Sequence, residues 1–259
     1  MIALQSAPAA AISIVDVSKA YGKVKAVAGV SFDVLPGEAL GVIGPNGAGK
    51  STLFDIVSGA VRADAGRVLL GGRDITREPP HLRCRAGVGR TYQIPQTFVR
   101  LSVFENVLVA AQQRPQRAGD PQDIAVSVLH RVGLFAMRDT AAEKLTLLWR
   151  KRLEIARALA TAPRVLLLDE VAAGLTEHEF SRMAELIRAV CQEGIAVLWV
   201  EHAVHLLASL VNRLLAMHFG EVLAIGPTRD VLNDPRVQEV YLGLRGVEEP
   251  TQGVHEAEP

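Results

Sequence analysis

Apolar and polar positions change their period several times along the chain, and each change marks an element. Ile12-Ser13-Ile14-Val15-Asp16-Val17 and Val27-Ala28-Gly29-Val30-Ser31-Phe32 read as strands on either side of a turn at Tyr21-Gly22-Lys23. Pro36-Gly37 signals another turn, after which Ala39-Leu40-Gly41-Val42-Ile43-Gly44 is a short apolar run that ends in glycine. The spacing predicts a helix over Lys50–Val57 and a strand over residues 66–72 that closes on Gly71-Gly72. Residues 103–160 carry helical periodicity, broken at 112–121 by a polar stretch that predicts an exposed loop. Runs at 165–169 and 195–200 are continuously apolar, as strands buried on both faces should be. Between them Phe180, Met183, Leu186, Ile187, Val190 and Cys191 form one helical stripe. Thr176 and Glu179 make a capping-box pattern at its start, and Gly194 closes it.

The order is β, then β/α, then a helical block, then β/α again. That order predicts an α/β nucleotide-binding core with a helical insertion.

Composition narrows the function classes. Hydrophobic residues make up 49% of the 259, enough for a large core and against overall disorder. Lys plus Arg and Asp plus Glu each number 28, so the net charge is zero. No global positive field is available for nucleic acid or anionic lipid, and none is expected as a partner. A neutral, apolar-rich chain has little charge repulsion to keep it alone, which points to a permanent protein partner. The longest apolar runs, such as Val165–Leu168, fall far short of the ~18–20 residues of a membrane span. The start, Met1 to Ser6, lacks the basic residues of a secretory signal. The 2 cysteines, Cys84 and Cys191, have no metal-like spacing with the 7 histidines and read as reduced, inert thiols. The run Arg150-Lys151-Arg152 reads as a solvated helix face.

Candidate chemistry begins with Gly44-Pro45-Asn46-Gly47-Ala48-Gly49-Lys50-Ser51, a full match to G-x-x-x-x-G-K-[ST] between a strand and a helix. Glycines let backbone N–H groups curl around phosphate oxygens, and the helix start adds partial positive charge. Lys50 suits the terminal phosphates, and Ser51 suits Mg²⁺. About 120 residues later, Val165-Leu166-Leu167-Leu168 ends in Asp169-Glu170. Asp169 can hold Mg²⁺, and Glu170 can orient or deprotonate water. No N-K-x-D guanine-reading motif occurs. A GTPase is therefore disfavoured, and the expected ligands are a nucleotide and Mg²⁺.

With these motifs the chain resembles the ATP-binding subunit of ABC transporters over about residues 11–245. The resemblance implies a P-loop NTPase (RecA-like) core with an N-terminal antiparallel β subdomain and an inserted α-helical subdomain. It places one ATPase domain over residues 1–245. Core and β subdomain occupy about 10–92 and 160–245, the helical subdomain about 93–159, and an acidic disordered tail 246–259. It assigns adenine stacking to Tyr21, nucleotide contact to the loop through Thr52, Mg²⁺ sensing to Gln93, and the γ-phosphate switch to His202. Taken alone, Tyr21 reads as a packed turn residue and His202 as a strand-end structural histidine. Gln93 carries no signal of its own. Ala173-Gly174-Leu175-Thr176 stands where the dimer-contacting loop would be.

Arg90 to Gln96, Phe104 to Val107, Leu153 to Leu159, Ala172 to Leu175 and Tyr241-Leu242-Gly243 resemble the branched-chain amino acid (LIV-type) importers. Urea and short-chain amide importers share most of these segments, and the lipopolysaccharide-export ATPase several. The implied partners are a second ATPase subunit, permease subunits docked around residues 94–104 and, indirectly, a periplasmic or extracellular solute-binding protein. The chain would work at the cytoplasmic face of the membrane without entering it.

One segment departs from the family. Its signature, normally L-S-G-G-Q, falls at Leu145-Thr146-Leu147-Leu148-Trp149. Thr146 keeps a hydroxyl for the partner's nucleotide, but both glycines and the glutamine are gone. Leu148 puts a branched side chain where the family has only hydrogen. Either these side chains turn away into subunit packing, or the ATP site this signature completes turns over slowly. The second reading would make the chain an ATP-binding regulatory subunit with weak hydrolysis. Proline is also missing at Val171, after the two acids. A soluble ATPase of repair or translation is a third reading, disfavoured by the single cassette and short helical insert.

Overall fold

A computed structural model describes residues 9–114 and 119–242. The acidic tail expected at 246–259, and part of the loop expected at 112–121, lie outside the described residues.

Alternating apolar positions build the first sheet. Strands β1 (Ile12–Tyr21) and β2 (Val24–Val34) form the expected hairpin, with Tyr21 opposite Val24. β4 (Ala65–Leu70) and β5 (Arg73–Asp74) continue it, giving the antiparallel order β2-β1-β4-β5. The strand expected over 66–72 stops at Leu70, because Gly71 and Gly72 take φ 54° and 81° and turn the chain into β5.

Continuously apolar runs build the second sheet: β3 (Ala39–Ile43), β6 (Val88–Arg90), β7 (Val165–Asp169), β8 (Ala196–Val200), β9 (Arg213–His218) and β10 (Glu221–Pro227). Its order is β10-β9-β3-β8-β7-β6, parallel except at β9–β10. Helix α1 (Lys50–Ser58) follows β3, and α6 (Glu177–Gln192) joins β7 to β8. The Thr176–Glu179 capping box forms in full at the start of α6. In a parallel sheet of this kind, ligands sit beyond the carboxyl ends of the strands. Those ends carry Gly44, Asp169-Glu170 and Glu201-His202.

The helical block comprises α3 (Val103–Ala111), α4 (Pro121–Arg131) and α5 (Leu147–Ala160), after α2 (Pro80–Ala86). The helical period expected through 132–146 gives only single 3₁₀ turns at Phe135–Met137 and Ala142–Lys144. Gly133, at φ 70°, breaks the run. The remaining helices are α7 (Val204–Ala208), α8 (Thr228–Asn233) and α9 (Pro235–Leu242). Among the described residues no helix is long and apolar enough to cross a membrane.

Two apolar clusters hold these parts together. One packs α1 between the two sheets through Leu53, Phe54, Ile56 and Val57. The other joins the helical block to the opposite face of the parallel sheet through Leu153, Leu159, Leu166 and Leu168. The phosphate-loop helix and the helical block thus sit on opposite faces of one rigid sheet.

Cys191 is half-buried at the end of α6, and burial pushes its thiol up to about 11. Its thiolate fraction at pH 8 is then roughly a hundredfold below that of a free cysteine. Iodoacetamide at pH 8 is expected to alkylate Cys191 at least about tenfold more slowly than free cysteine; mass spectrometry of a time course reads the rate.

Candidate active site

The loop between β3 and α1 is shaped by glycine at two decisive points. Gly49 takes φ 100°, and a Cβ there would meet the Ala26 carbonyl at 2.1 Å. Gly47 takes φ 79°. Helix α1 starts with no side-chain cap and no acid in its first turn, so its N–H groups remain available to an anion. Lys50 is 6% exposed, and its ammonium donates to the carbonyls of Gly44 (2.6 Å) and Pro45 (3.0 Å). Burial pulls the Lys50 pKa down, and the facing carboxylates Glu170 and Asp169 push it back up.

A cavity of about 550 Å³ opens over this loop. Its wall brings together Tyr21, the loop residues Asn46, Gly47, Ala48, Gly49, Lys50, Ser51 and Thr52, and the catalytic candidates Glu170 and His202. Gly44 and Pro45 stand behind the wall, where they bind Lys50. Tyr21 is 50% exposed at the tip of the β1–β2 hairpin, where it lines the cavity.

Three side chains meet here, two of them converging on the Glu170 carboxylate. His202 Nε2 lies 2.7 Å from Glu170 Oε1, and Gln93 Nε2 donates to Glu170 Oε2. They come from the ends of three elements, β8, β7 and β6. Asp169, one residue earlier, accepts from Arg90 at 3.3 Å; Arg90 also donates to Asp55 on α1 at 2.6 Å. Burial pushes the Asp169 carboxyl up, and Arg90 opposes that shift. Among the described residues no group of three or more His, Cys, Asp or Glu side chains could hold a metal. The available oxygen donors are one carboxylate (Asp169), one hydroxyl (Ser51) and one amide (Gln93). That sparse oxygen set suits Mg²⁺, which keeps several waters and is completed by substrate phosphates.

The signature segment sits apart from this wall. Thr146 caps α5 without a side-chain hydrogen bond and does not line the cavity. Leu148 is 4% exposed within the helical core, and Trp149 packs against that core between Arg152 and Arg182. Of the two readings of this segment, the inward turn of Leu148 favours the first, in which the side chain points away into packing. Leu147 is the exposed one, lying against Gly174 of the dimer-loop candidate.

A second correction concerns Arg150-Lys151-Arg152. The run is not a solvated face, because Lys151 and Arg152 are 4% and 8% exposed. Arg150 donates to the carbonyls of Leu145 and Glu143, Arg152 to those of Val132 and Arg182, and Lys151 to that of Glu170. Long side chains here satisfy backbone carbonyls, mostly in the irregular segments around α5.

The sequence reading also missed Phe219, which lines the same cavity at 77% exposure and φ 45°. Gly220 beside it donates to the Ala48 carbonyl and accepts from the Ala28 N–H, pinning the hairpin tip to the phosphate loop. A left-handed φ costs a bulky residue about 1–2 kcal/mol, and Asn visits it readily. Phe219→Asn is expected to stabilise the protein by about 1 kcal/mol, read by denaturant unfolding.

Comparison with known proteins gives this geometry a family. Residues 27–173, more than half of the chain, match the model of the ABC transporter family. The chain belongs to that family. It is an ABC transporter ATP-binding subunit and an ATPase. Residues 221–244 also match the model of the branched-chain amino acid ATP-binding cassette transporter. The chain is 40% identical over 225 residues to the lipopolysaccharide export system ATP-binding protein LptB of Acidithiobacillus ferridurans, covering 87% of this chain and 93% of that protein. It is 35% identical to the probable branched-chain amino acid transport ATP-binding protein LivG of Archaeoglobus fulgidus, covering 90% and 95%. The crystal structure of the ADP conformation of an ATP-binding cassette of an ABC transporter superposes with a TM-score of 0.82 at 31% identity, covering 90% of this chain and 99% of that one. The ABC subunit thus keeps the fold of its family across both sheets.

Proposed function

We propose that this ATPase energises an importer of branched-chain amino acids. The match of residues 221–244 to the branched-chain cassette model carries that choice of solute. Two cassettes would enclose ATP between the phosphate loop of one and the signature helix of the other. The single ATPase domain would run over residues 1–245, with the helical subdomain at about 93–159. Ile94, Phe98 and Val99 expose large apolar side chains at 73%, 44% and 49%, which suits docking of permease subunits at the cytoplasmic face. A solute-binding protein would deliver the amino acid on the other side.

Catalysis follows from the residues brought together. Tyr21 stacks on the adenine, and the amides of Asn46 to Lys50 cradle the phosphates. Lys50 exchanges its carbonyl partners for phosphate oxygens. Ser51, Asp169 and Gln93 would hold Mg²⁺, which would shield the phosphate charge. Glu170 takes a proton from a water that attacks the γ-phosphorus in line, and the bond to the β,γ-bridging oxygen breaks to release ADP. His202 positions the carboxylate and the water. Lys50 and the loop amides stabilise the charge that develops on the leaving phosphate.

The relative at 40% identity favours lipopolysaccharide export as the second reading. Proteoliposomes holding the whole complex separate the two. ATP-dependent accumulation of labelled leucine, isoleucine or valine supports the import reading. No accumulation, with ATP-dependent extraction of lipopolysaccharide, overturns it.

A further inference from the structure

Helix α5 carries three charged residues spaced three apart, Lys151, Glu154 and Arg157, which places them along one face. Their neighbours Leu153, Ile155, Ala156 and Leu159 are buried in the core. Lys151 and Glu154 are only 4% and 5% exposed. Each of the three grips a loop that supplies one partner of the Gln93–Glu170 contact. Lys151 Nζ donates to the backbone carbonyl of Glu170 at 3.0 Å. Glu154 Oε1 accepts from the Gln96 N–H at 3.0 Å, and Arg157 donates to the Gln96 carbonyl. One helix therefore holds both the Glu170 loop and the Gln93 loop.

Burying such charges is costly, and apolar side chains of similar size would stabilise the helix at least as well. What these charges provide is geometry. Glu170 takes φ 48°, a strained conformation for a residue with a Cβ, and it persists only if its surroundings fix it. Its N–H donates to the Val200 carbonyl at 3.0 Å, and its carbonyl accepts from the Ala173 N–H at 3.2 Å as well as from Lys151. Glu201, 3% exposed, accepts from the Ala172 N–H at 2.7 Å and from Trp199 Nε1 at 2.9 Å. The turn after Glu170 is thereby braced from β8 as well as from α5.

We propose that Lys151 is a positioning residue for ATP hydrolysis. Its ammonium holds the Glu170 backbone so that the carboxylate meets His202 and Gln93, while Glu154 holds the Gln93 loop from the same helix. A shift of α5 then moves both loops together. The inference rests on Glu170 being the general base, and the test separates the two.

Steady-state ATPase of the full chain is measured for Lys151→Met, Lys151→Arg, Glu170→Gln and the Lys151→Met/Glu170→Gln pair. A 1 Å displacement of a reacting group can cost 10²-fold, so Lys151→Met is expected to lower kcat at least about tenfold with KM for ATP within about twofold. Lys151→Arg is expected to restore most of the rate. With Glu170 already replaced, Lys151→Met is expected to lower the residual rate no further. A Lys151→Met kcat within about twofold of wild type, or an equal further loss on the Glu170→Gln background, overturns the positioning role. Wild-type turnover in Glu170→Gln overturns instead the general-base reading beneath it. Should Lys151→Met not fold, Lys151→Gln takes its place, keeping an amide NH₂ but no charge. Failure of both to fold assigns Lys151 to stability alone and overturns the proposal.

Discussion

Glu170→Gln is expected to lower ATP turnover by about 10²–10⁴-fold, the range a positioned general base contributes. ATP affinity is expected to stay within a few-fold of wild type. The reason lies in what the substitution leaves in place. The phosphate loop, Lys50 and Tyr21 make no side-chain hydrogen bond to Glu170, so the groups that hold the nucleotide are undisturbed. A glutamine is the same size as the glutamate and can still accept from His202 Nε2. It cannot take up a proton from water. A radiolabelled nucleotide-binding assay beside a phosphate-release assay separates the two effects. Turnover within about tenfold of wild type would assign the proton to another group. Loss of binding in parallel with turnover would make Glu170 a nucleotide ligand instead.

The site was legible in the sequence where its residues are contiguous. Gly44 to Ser51 form one loop, and their spacing alone prescribes backbone curl, helix start and charge. Asp169 and Glu170 could be read because a wholly apolar strand must end where polar chemistry begins. The convergence on Glu170 was not readable from the residues themselves. Gln93 and His202 lie 77 and 32 positions from it, and only the parallel order β8-β7-β6 makes them neighbours. Resemblance to a family supplied them.

The buried charges were misread for a related reason. A run of Arg-Lys-Arg on a helix is indistinguishable from a solvated face until the loops that need its donors are folded against it. A signal was nevertheless present. Lys151, Glu154 and Arg157 recur every three residues between positions whose apolar character leaves no wet face on α5. The same limit hid α2, β5 and β6, which are short and follow Pro79, Gly71-Gly72 and Gly87 in turn. Their placement is decided by what they touch rather than by their own period.

Arg83 is where that hidden region matters most for stability. It is 1% exposed, yet no carboxylate lies within ion-pair distance among the described residues. Its guanidinium instead donates to four backbone carbonyls: Ile56 at 2.5 Å, Val57 at 3.0 Å, Thr76 at 2.7 Å and Glu78 at 2.9 Å. Ile56 and Val57 lie in the last turn of α1, where carbonyls lack i+4 partners (Ile56 accepts instead from the Gly59 cap) and a cation is favoured by the helix dipole. Burial pulls the Arg83 pKa down, with Glu78 and Asp74 opposing, and the guanidinium remains charged. Arg83→Met fills much of the space; the Ile56 carbonyl keeps the Gly59 N–H, but those of Val57, Thr76 and Glu78 lose their donor in the core. Each orphaned group costs about 1–3 kcal/mol, and relief of the charge's desolvation offsets part of the sum. The expected loss is about 3 kcal/mol, or roughly 6–12 °C in Tm for a chain of this size. Arg83→Lys, a point charge without the planar fork, is expected to recover less than half of it. A scan of thermal unfolding checks both values, and a fall below about 2 °C for Arg83→Met would show that water or backbone adjustment satisfies the carbonyls. The nucleotide helix is clamped at its far end by this side chain while its near end waits for phosphate. ATP is therefore expected to raise the Tm of Arg83→Met by at least as much as that of wild type, because the phosphate-binding end of α1 is intact.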